Sequence, residues 1–143
     1  MLVYKKGDAT KPQVGWLLAH VVNDVGAWGA GFVLALSARW PDMRQQFRAR
    51  SMRLGDVWYY HTPSGMIVAS LCAQEGLRSR ANPMPLRMEW LDYTLRKMYR
   101  YAKRHSLSVK MPRIGAGLAG GNWDDIEYLI NRIANVETVV YSL

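Results

Sequence analysis

Apolar positions along the chain follow two periods. Residues 16–22 (Trp-Leu-Leu-Ala-His-Val-Val), 66–71 (Met-Ile-Val-Ala-Ser-Leu) and 139–141 (Val-Val-Tyr) are nearly continuous apolar runs. Unbroken runs of this kind are expected of strands covered on both faces. Residues 57–60 (Val-Trp-Tyr-Tyr) are strand formers, and Pro63-Ser64-Gly65 turns them back toward Met66, which predicts a hairpin. Residues 107–111 form a shorter strand that stops at Pro112. Between these runs the period changes. In 86–104, Met88, Leu91, Leu95, Met98 and Ala102 recur at spacings of 3, 4, 3 and 4, one face of an amphipathic helix. In 123–134, Ile126, Leu129, Ile130 and Ile133 do the same. Asn122 is placed to cap that helix, with Asp124 and Asp125 favourable to its dipole. Residues 32–40 read as a helix that Pro41 interrupts or restarts. With a first strand ahead of Gly7, the order is strand, strand, helix, hairpin, helix, strand, helix, strand. This predicts an α/β sandwich around a mixed sheet. No repeat or linker divides it, so residues 1–143 are read as one domain.

Composition narrows the class. Half of the 143 residues are apolar, enough for a packed core. Cys72 is the single cysteine, which excludes an internal disulfide and a multi-cysteine zinc site, and it reads as a small buried residue. No apolar run approaches the roughly 20 residues of a membrane span. The N-terminus lacks a signal-peptide core. These features point to a soluble cytoplasmic protein with no membrane partner. Lys plus Arg number 19 against 11 Asp plus Glu, a net charge of +8. The excess is clustered, at Arg39, Arg44, Arg48, Arg50 and Arg53, and again from Arg78 to Arg104. Such clusters are either solvated helix faces or a nucleic-acid footprint. No zinc-finger spacing, zipper heptad or aromatic RNA-binding strand accompanies them.

Two glycine-bearing loops carry the candidate chemistry. His20-Val21-Val22-Asn23 leads into Trp28-Gly29-Ala30-Gly31, and Pro112-Arg113 leads into Ile114-Gly115-Ala116-Gly117-Leu118-Ala119. Each loop leaves a strand and enters a helix. Glycine lets backbone N–H groups approach an anion closely, and the helix that follows adds free N–H donors. Ligands of open α/β sheets sit at the carboxyl ends of strands, so two such loops could hold two phosphates of one ligand. Neither loop has the lysine of a P-loop or the spaced acid of a dinucleotide fingerprint.

With Gly7-Asp8-Ala9-Thr10 near the start and Val140-Tyr141-Ser142-Leu143 at the end, these segments resemble a macrodomain. The likeness is to the branch that includes ADP-ribose 1″-phosphate phosphatases and the terminal ADP-ribose protein glycohydrolase, and to small phage and bacterial members. It implies a three-layer α/β/α fold with a central mixed sheet of about six strands. It implies ADP-ribose as ligand, with no metal and no cofactor, and a monomer in the cytoplasm (the host cytoplasm if phage-encoded). By the same resemblance Asp8, with Ala9 beside it, accepts from the adenine amino group, and Tyr141 lies against the ring. Gly29, Ala30 and Gly31 form the first diphosphate loop. Gly115, Ala116, Gly117, Leu118 and Ala119 form the second. Asn23 holds the distal ribose, and Trp28 either walls that pocket or packs beneath it.

The resemblance leaves the reaction open. The subgroup that releases ADP-ribose from glutamate uses a lysine and an aspartate that have no counterpart here. Ala119 replaces the aspartate, and Ala73 or Gln74 lies near the lysine position. His20 matches the strand-end histidine of the phosphatase branch, and a histidine can move a proton near neutral pH. His20 and Asn23 are therefore the catalytic candidates, with Asp24 as a second acid or base. The leading expectation is a metal-independent ADP-ribose 1″-phosphate phosphatase. Removal of ADP-ribose from a protein or nucleic-acid acceptor is the neighbouring reading. A non-catalytic ADP-ribose reader is the rival.

Overall fold

The computed structural model describes residues 2–143. Ten elements follow one another: β1 (Leu2–Lys6), β2 (Trp16–Asn23), α1 (Val33–Arg39), α2 (Met43–Ala49), β3 (Val57–His61), β4 (Ile67–Gln74), α3 (Met88–Arg104), β5 (Ser108–Met111), α4 (Trp123–Ile133) and β6 (Thr138–Ser142). The strands form one sheet in the order β1-β6-β5-β2-β4-β3. Every neighbouring pair is parallel except β3 and β4, the hairpin read from Pro63-Ser64-Gly65. The mixed α/β sheet expected from the sequence is therefore present.

Side chains alternate across the strands and feed two cores. Leu17 and Ala19 of β2 pack with Leu91, Leu95 and Met98 of α3 and with Ile126 and Ile130 of α4. Leu18 and Val22 face the other way, against Leu36 of α1, Met43 and Phe47 of α2, and Trp58. The sheet is thus sandwiched between two helical layers. Each fully buried leucine or isoleucine contributes about 1.5–3 kcal/mol from burial. All eight residues of β4 are buried, which accounts for its unbroken apolar run.

Helix limits follow local chemistry. The Asn122 side chain accepts from the Asp125 N–H at 3.2 Å and caps α4, with Asp124 and Asp125 in its first turn. The 32–40 segment becomes α1, and after Pro41 the chain restarts as α2. No helix among the described residues is long and apolar enough to cross a membrane.

Candidate functional site

Parallel strands β2, β4 and β5 release their following loops at one edge of the sheet. There the two glycine loops face each other across a cleft of about 690 Å³. His20, Asn23, Gly29, Ala30, Gly31, Gly115, Gly117, Leu118 and Ala119 all border it. Among the described residues, the N–H groups of Gly29, Ala30 and Gly31 have no hydrogen-bond acceptor, nor do those of Gly117, Leu118 and Ala119. A Cβ added to Gly29 or Gly117 would meet nothing within 4 Å, so both backbones open onto free space. Six N–H groups without an acceptor, on residues that border one cleft, suit it to an anion.

Asn23 sets the shape of the first loop. The register of β2 against β4 slips between Val22 and Asn23, and the chain turns immediately afterwards. The Asn23 Oδ1 accepts from the N–H groups of Val25 (3.1 Å) and Ala27 (3.0 Å), and its Nδ2 donates to the Ala27 carbonyl at 2.9 Å. Asp24 accepts from the Gly76 N–H at 2.8 Å, tying the loop after β4 to the same corner. Both side chains hold backbone in place.

His20 departs from the expected proton carrier. It is 2% exposed, and its Nε2 lies 2.6 Å from the Ser70 hydroxyl. Burial pushes its pKa from 6.5 down to about 3. The imidazole is neutral at physiological pH, one ring nitrogen carrying its proton and the other free to accept. Its Nδ1 is buried with no partner among the described residues. Sequence pattern placed His20 at a strand end but could not show the aromatic shell around it. Trp28 meets the ring edge-on at 5.7 Å, and Phe32 lies at 6.1 Å.

Trp28 packs rather than walling the pocket. It is 2% exposed, its ring is 4.9 Å from that of Phe47, and its indole N–H donates to Ser37 at 2.8 Å. Ala116 also stays outside the cleft lining and packs on the α3–α4 core.

Asp8 and Ala9, just after β1, and Tyr141, near the end of β6, gather outside this cleft. The Gly7 N–H donates to the Ser142 carbonyl at 2.8 Å, and a Cβ on Gly7 would stand 3.4 Å from the Tyr141 ring. Ala9 is buried beside Tyr141 in the second core. The Asp8 Oδ1 accepts from the Thr10 hydroxyl and N–H, and its Oδ2 pairs with Arg39 at 3.1 Å. The Thr10 hydrogen bonds, with help from the Arg39 charge, hold this carboxyl below the usual range.

Several cleft residues carry no sequence signal of their own. Arg78 and Leu77 arrive from the loop after β4, and Gln74 from the end of β4 itself. Arg113 enters from the second loop, its guanidinium 5.7 Å from both the Tyr4 and Trp123 rings. No group of three His, Cys, Asp or Glu side chains among the described residues could hold a metal.

Comparison with known proteins places this architecture. No family model matches the sequence. A solved macrodomain protein from Streptomyces coelicolor is 35% identical, with a TM-score of 0.86, covering 100% of this chain and 99% of that one. Chromodomain-helicase-DNA-binding protein 1-like of Danio rerio is 33% identical over 90% of this chain, which spans only 14% of that relative's length. The DNA ADP-ribosyl glycohydrolase of Mycobacterium tuberculosis is 25% identical over 99% of this chain and 42% of its own. An ADP-ribose 1″-phosphate phosphatase of Candida albicans is 23% identical over 99% of both. A likeness that runs the whole length of a solved macrodomain, at more than a third of positions, means that this chain belongs to the macrodomain family.

Proposed function

We propose that the chain binds ADP-ribose and releases phosphate from ADP-ribose 1″-phosphate. The observation that carries the ligand is the set of unpaired N–H groups of Gly29–Gly31 and Gly117–Ala119, facing one another across a cleft of diphosphate-binding type. The adenine falls to Asp8 and Tyr141, and the distal ribose to the Asn23 corner. The phosphatase of Candida albicans, which this chain matches end to end, supports the reaction.

The chemistry fits a site without a proton carrier. Water attacks phosphorus, the bond from phosphorus to the 1″ oxygen breaks, and the leaving ribose oxygen takes up a proton from the phosphoryl group or solvent. Phosphoryl transfer of this kind passes through a loose transition state that asks for positioning and charge stabilisation more than for a strong base. Unpaired loop N–H groups and the Arg78 guanidinium supply both. His20 then acts as a neutral part of the wall.

The same burial of His20 favours a second reading, a non-catalytic reader of ADP-ribose. Calorimetry with ADP-ribose and a phosphate-release assay with ADP-ribose 1″-phosphate separate the two. Binding with phosphate release supports the phosphatase. Binding without release leaves the reader, or a glycohydrolase whose substrate is an ADP-ribosylated protein or nucleic acid. Absence of binding overturns the ligand itself.

A further inference from the structure

The positive charge unused by the cleft is concentrated on the second half of α3. Arg96, Arg100 and Arg104 stand four residues apart on one face, with Lys103 beside them, and all four are exposed. With Tyr99, Ile133 and Asn135 they line a separate groove of about 540 Å³ between α3 and the end of α4. Only Arg96 is paired, with Asp92 at 2.7 Å; Arg100, Lys103 and Arg104 have no ion pair among the described residues. The glycine loops lie at the opposite end of α3, where the Leu86 N–H meets the Ala119 carbonyl. Arg87 and Arg100 are separated by about 20 Å of helix.

Helix-dipole compensation explains only the last-turn cations, Lys103 and Arg104. Arg96 is held by Asp92, one turn earlier, which leaves Arg100 unexplained. Like charges four residues apart destabilise a helix, and Arg96–Arg100–Arg104 stacks two such pairs in succession. The first half of α3 carries only acids, Glu89 and Asp92, and the second half only cations, so beyond Asp92 the cations have no acidic neighbour on their own helix. A ladder in which Arg100, Lys103 and Arg104 have no ion pair among the described residues is relieved when a polyanion lies along it. Four cations spread over about 12 Å of helix approach the charge density of a nucleic-acid strand, one phosphate per about 3.4 Å of duplex axis.

We propose that the α3–α4 groove is a docking surface for the phosphate backbone of duplex nucleic acid, acting independently of the ADP-ribose cleft. Duplex is favoured over single strand because the groove offers no stacking platform. Tyr99 is buried against Thr138, and Tyr101 is stacked on Tyr59 at 3.8 Å. A membrane surface is disfavoured because no large exposed apolar side chain lines the groove to insert into lipid. Recognition is of backbone charge and carries no base sequence.

The test is fluorescence anisotropy with a labelled 20-base-pair DNA duplex free of ADP-ribose. Binding is expected to weaken with salt at a log–log slope of about −3, as three to four phosphate contacts require. Arg100→Glu/Arg104→Glu is expected to lose at least about tenfold in affinity and to flatten that slope. The matched reversal Arg44→Glu/Arg53→Glu, on and after α2, is expected to change affinity less than about threefold. An unchanged urea-unfolding midpoint shows that each variant is folded. Because the duplex carries no ADP-ribose, failure here leaves the cleft reading standing, and the reverse. The proposal is overturned if the α2 pair abolishes binding while the α3 pair does not, if single-stranded DNA binds as tightly as the duplex, or if only anionic phosphatidylserine vesicles bind.

Discussion

Leu118 of the second glycine loop reaches across the cleft to Gly31 of the first, its Cδ1 only 3.1 Å from where a Cβ on Gly31 would stand. Gly31 also has a φ of +80°, a backbone region that side chains disfavour. The two loops therefore meet over the cleft at a point that favours glycine. Gly31→Ala is expected to cost about 1–2 kcal/mol from the positive φ, together with the steric contact. Urea unfolding measures the loss of stability, and calorimetry the accompanying loss of ADP-ribose affinity. Adding Leu118→Ala should restore the steric part and leave the φ part, a coupling that a double-mutant cycle reads directly. A Gly31→Ala variant with the wild-type urea midpoint would show that the loops do not meet in this way.

His20 gives a pH signature. In the unfolded chain its imidazole titrates near about 6.5, and in the fold burial holds it at about 3. Between these values the unfolded state carries the extra proton. The stability tied to His20 is therefore complete above about pH 6.5 and is lost as pH falls toward 3, at up to about 1.4 kcal/mol per pH unit. Urea unfolding at pH 7, 6 and 5 should show a steeper decline for the wild type than for His20→Gln. Turnover should show no limb from His20 between pH 6 and 8, so any limb from the substrate phosphate, whose second pKa is about 6, is the same in wild type and His20→Gln. A limb in kcat centred near 6.5 and absent in His20→Gln would return the histidine to proton transfer.

These two predictions also show where sequence reading stops. Period alone located α3, α4 and the strands to within a few residues, because an apolar face of 3.6 or an unbroken buried run has one economical packing. The two glycine loops were visible because strand, turn residues and helix follow one another locally. The surroundings of His20 were not, since Ser70 lies 50 residues away and the Trp28 and Phe32 rings close in only after α1 packs. Asn23 reads as a ligand residue in sequence, yet its amide is occupied with residues 25 and 27, just where the register between β2 and β4 slips past Ala73. Arg78 and Arg113 look like ordinary surface cations until the loops bring them to the cleft.

The Asp8–Arg39 pair makes a separate prediction about the adenine end. Both side chains are more than a third exposed, so the pair contributes at most about 1 kcal/mol to stability. The carboxylate has acceptor capacity left after Thr10 and Arg39 are satisfied, so the adenine amino group need not displace either. Asp8→Ala is expected to weaken ADP-ribose about 10- to 100-fold, the range for a hydrogen bond to a charged group. Arg39→Ala should change affinity less than about threefold and leave the unfolding midpoint close to wild type. A loss with Arg39→Ala as large as that with Asp8→Ala would mean that the guanidinium, not the carboxylate, meets the base.

Lys110 lies beneath that same loop and is 1% exposed. Its Nζ donates to the Lys11 carbonyl at 2.6 Å and to the Gln13 side-chain oxygen at 2.8 Å, and it stands 5.9 Å from the Tyr141 ring. It thus fastens the segment after Asp8 to the end of β5, next to Tyr141, the residue proposed to lie against adenine. Burial lowers its pKa to about 8, with the Asp8 charge pulling the other way. An unfolded lysine titrates near about 10.4. From pH 8 to 10 the unfolded chain holds the extra proton, so Lys110 adds stability as pH rises through that window. The neutral amine still donates to both acceptors. Lys110→Met keeps the bulk and removes the donors, so the stability gain from pH 8 to 10 should disappear relative to wild type in urea unfolding. ADP-ribose affinity should fall several-fold while binding of ribose 5-phosphate, which has no adenine, stays unchanged. Equal losses for both ligands would mean that Lys110 supports the fold as a whole and not the adenine loop.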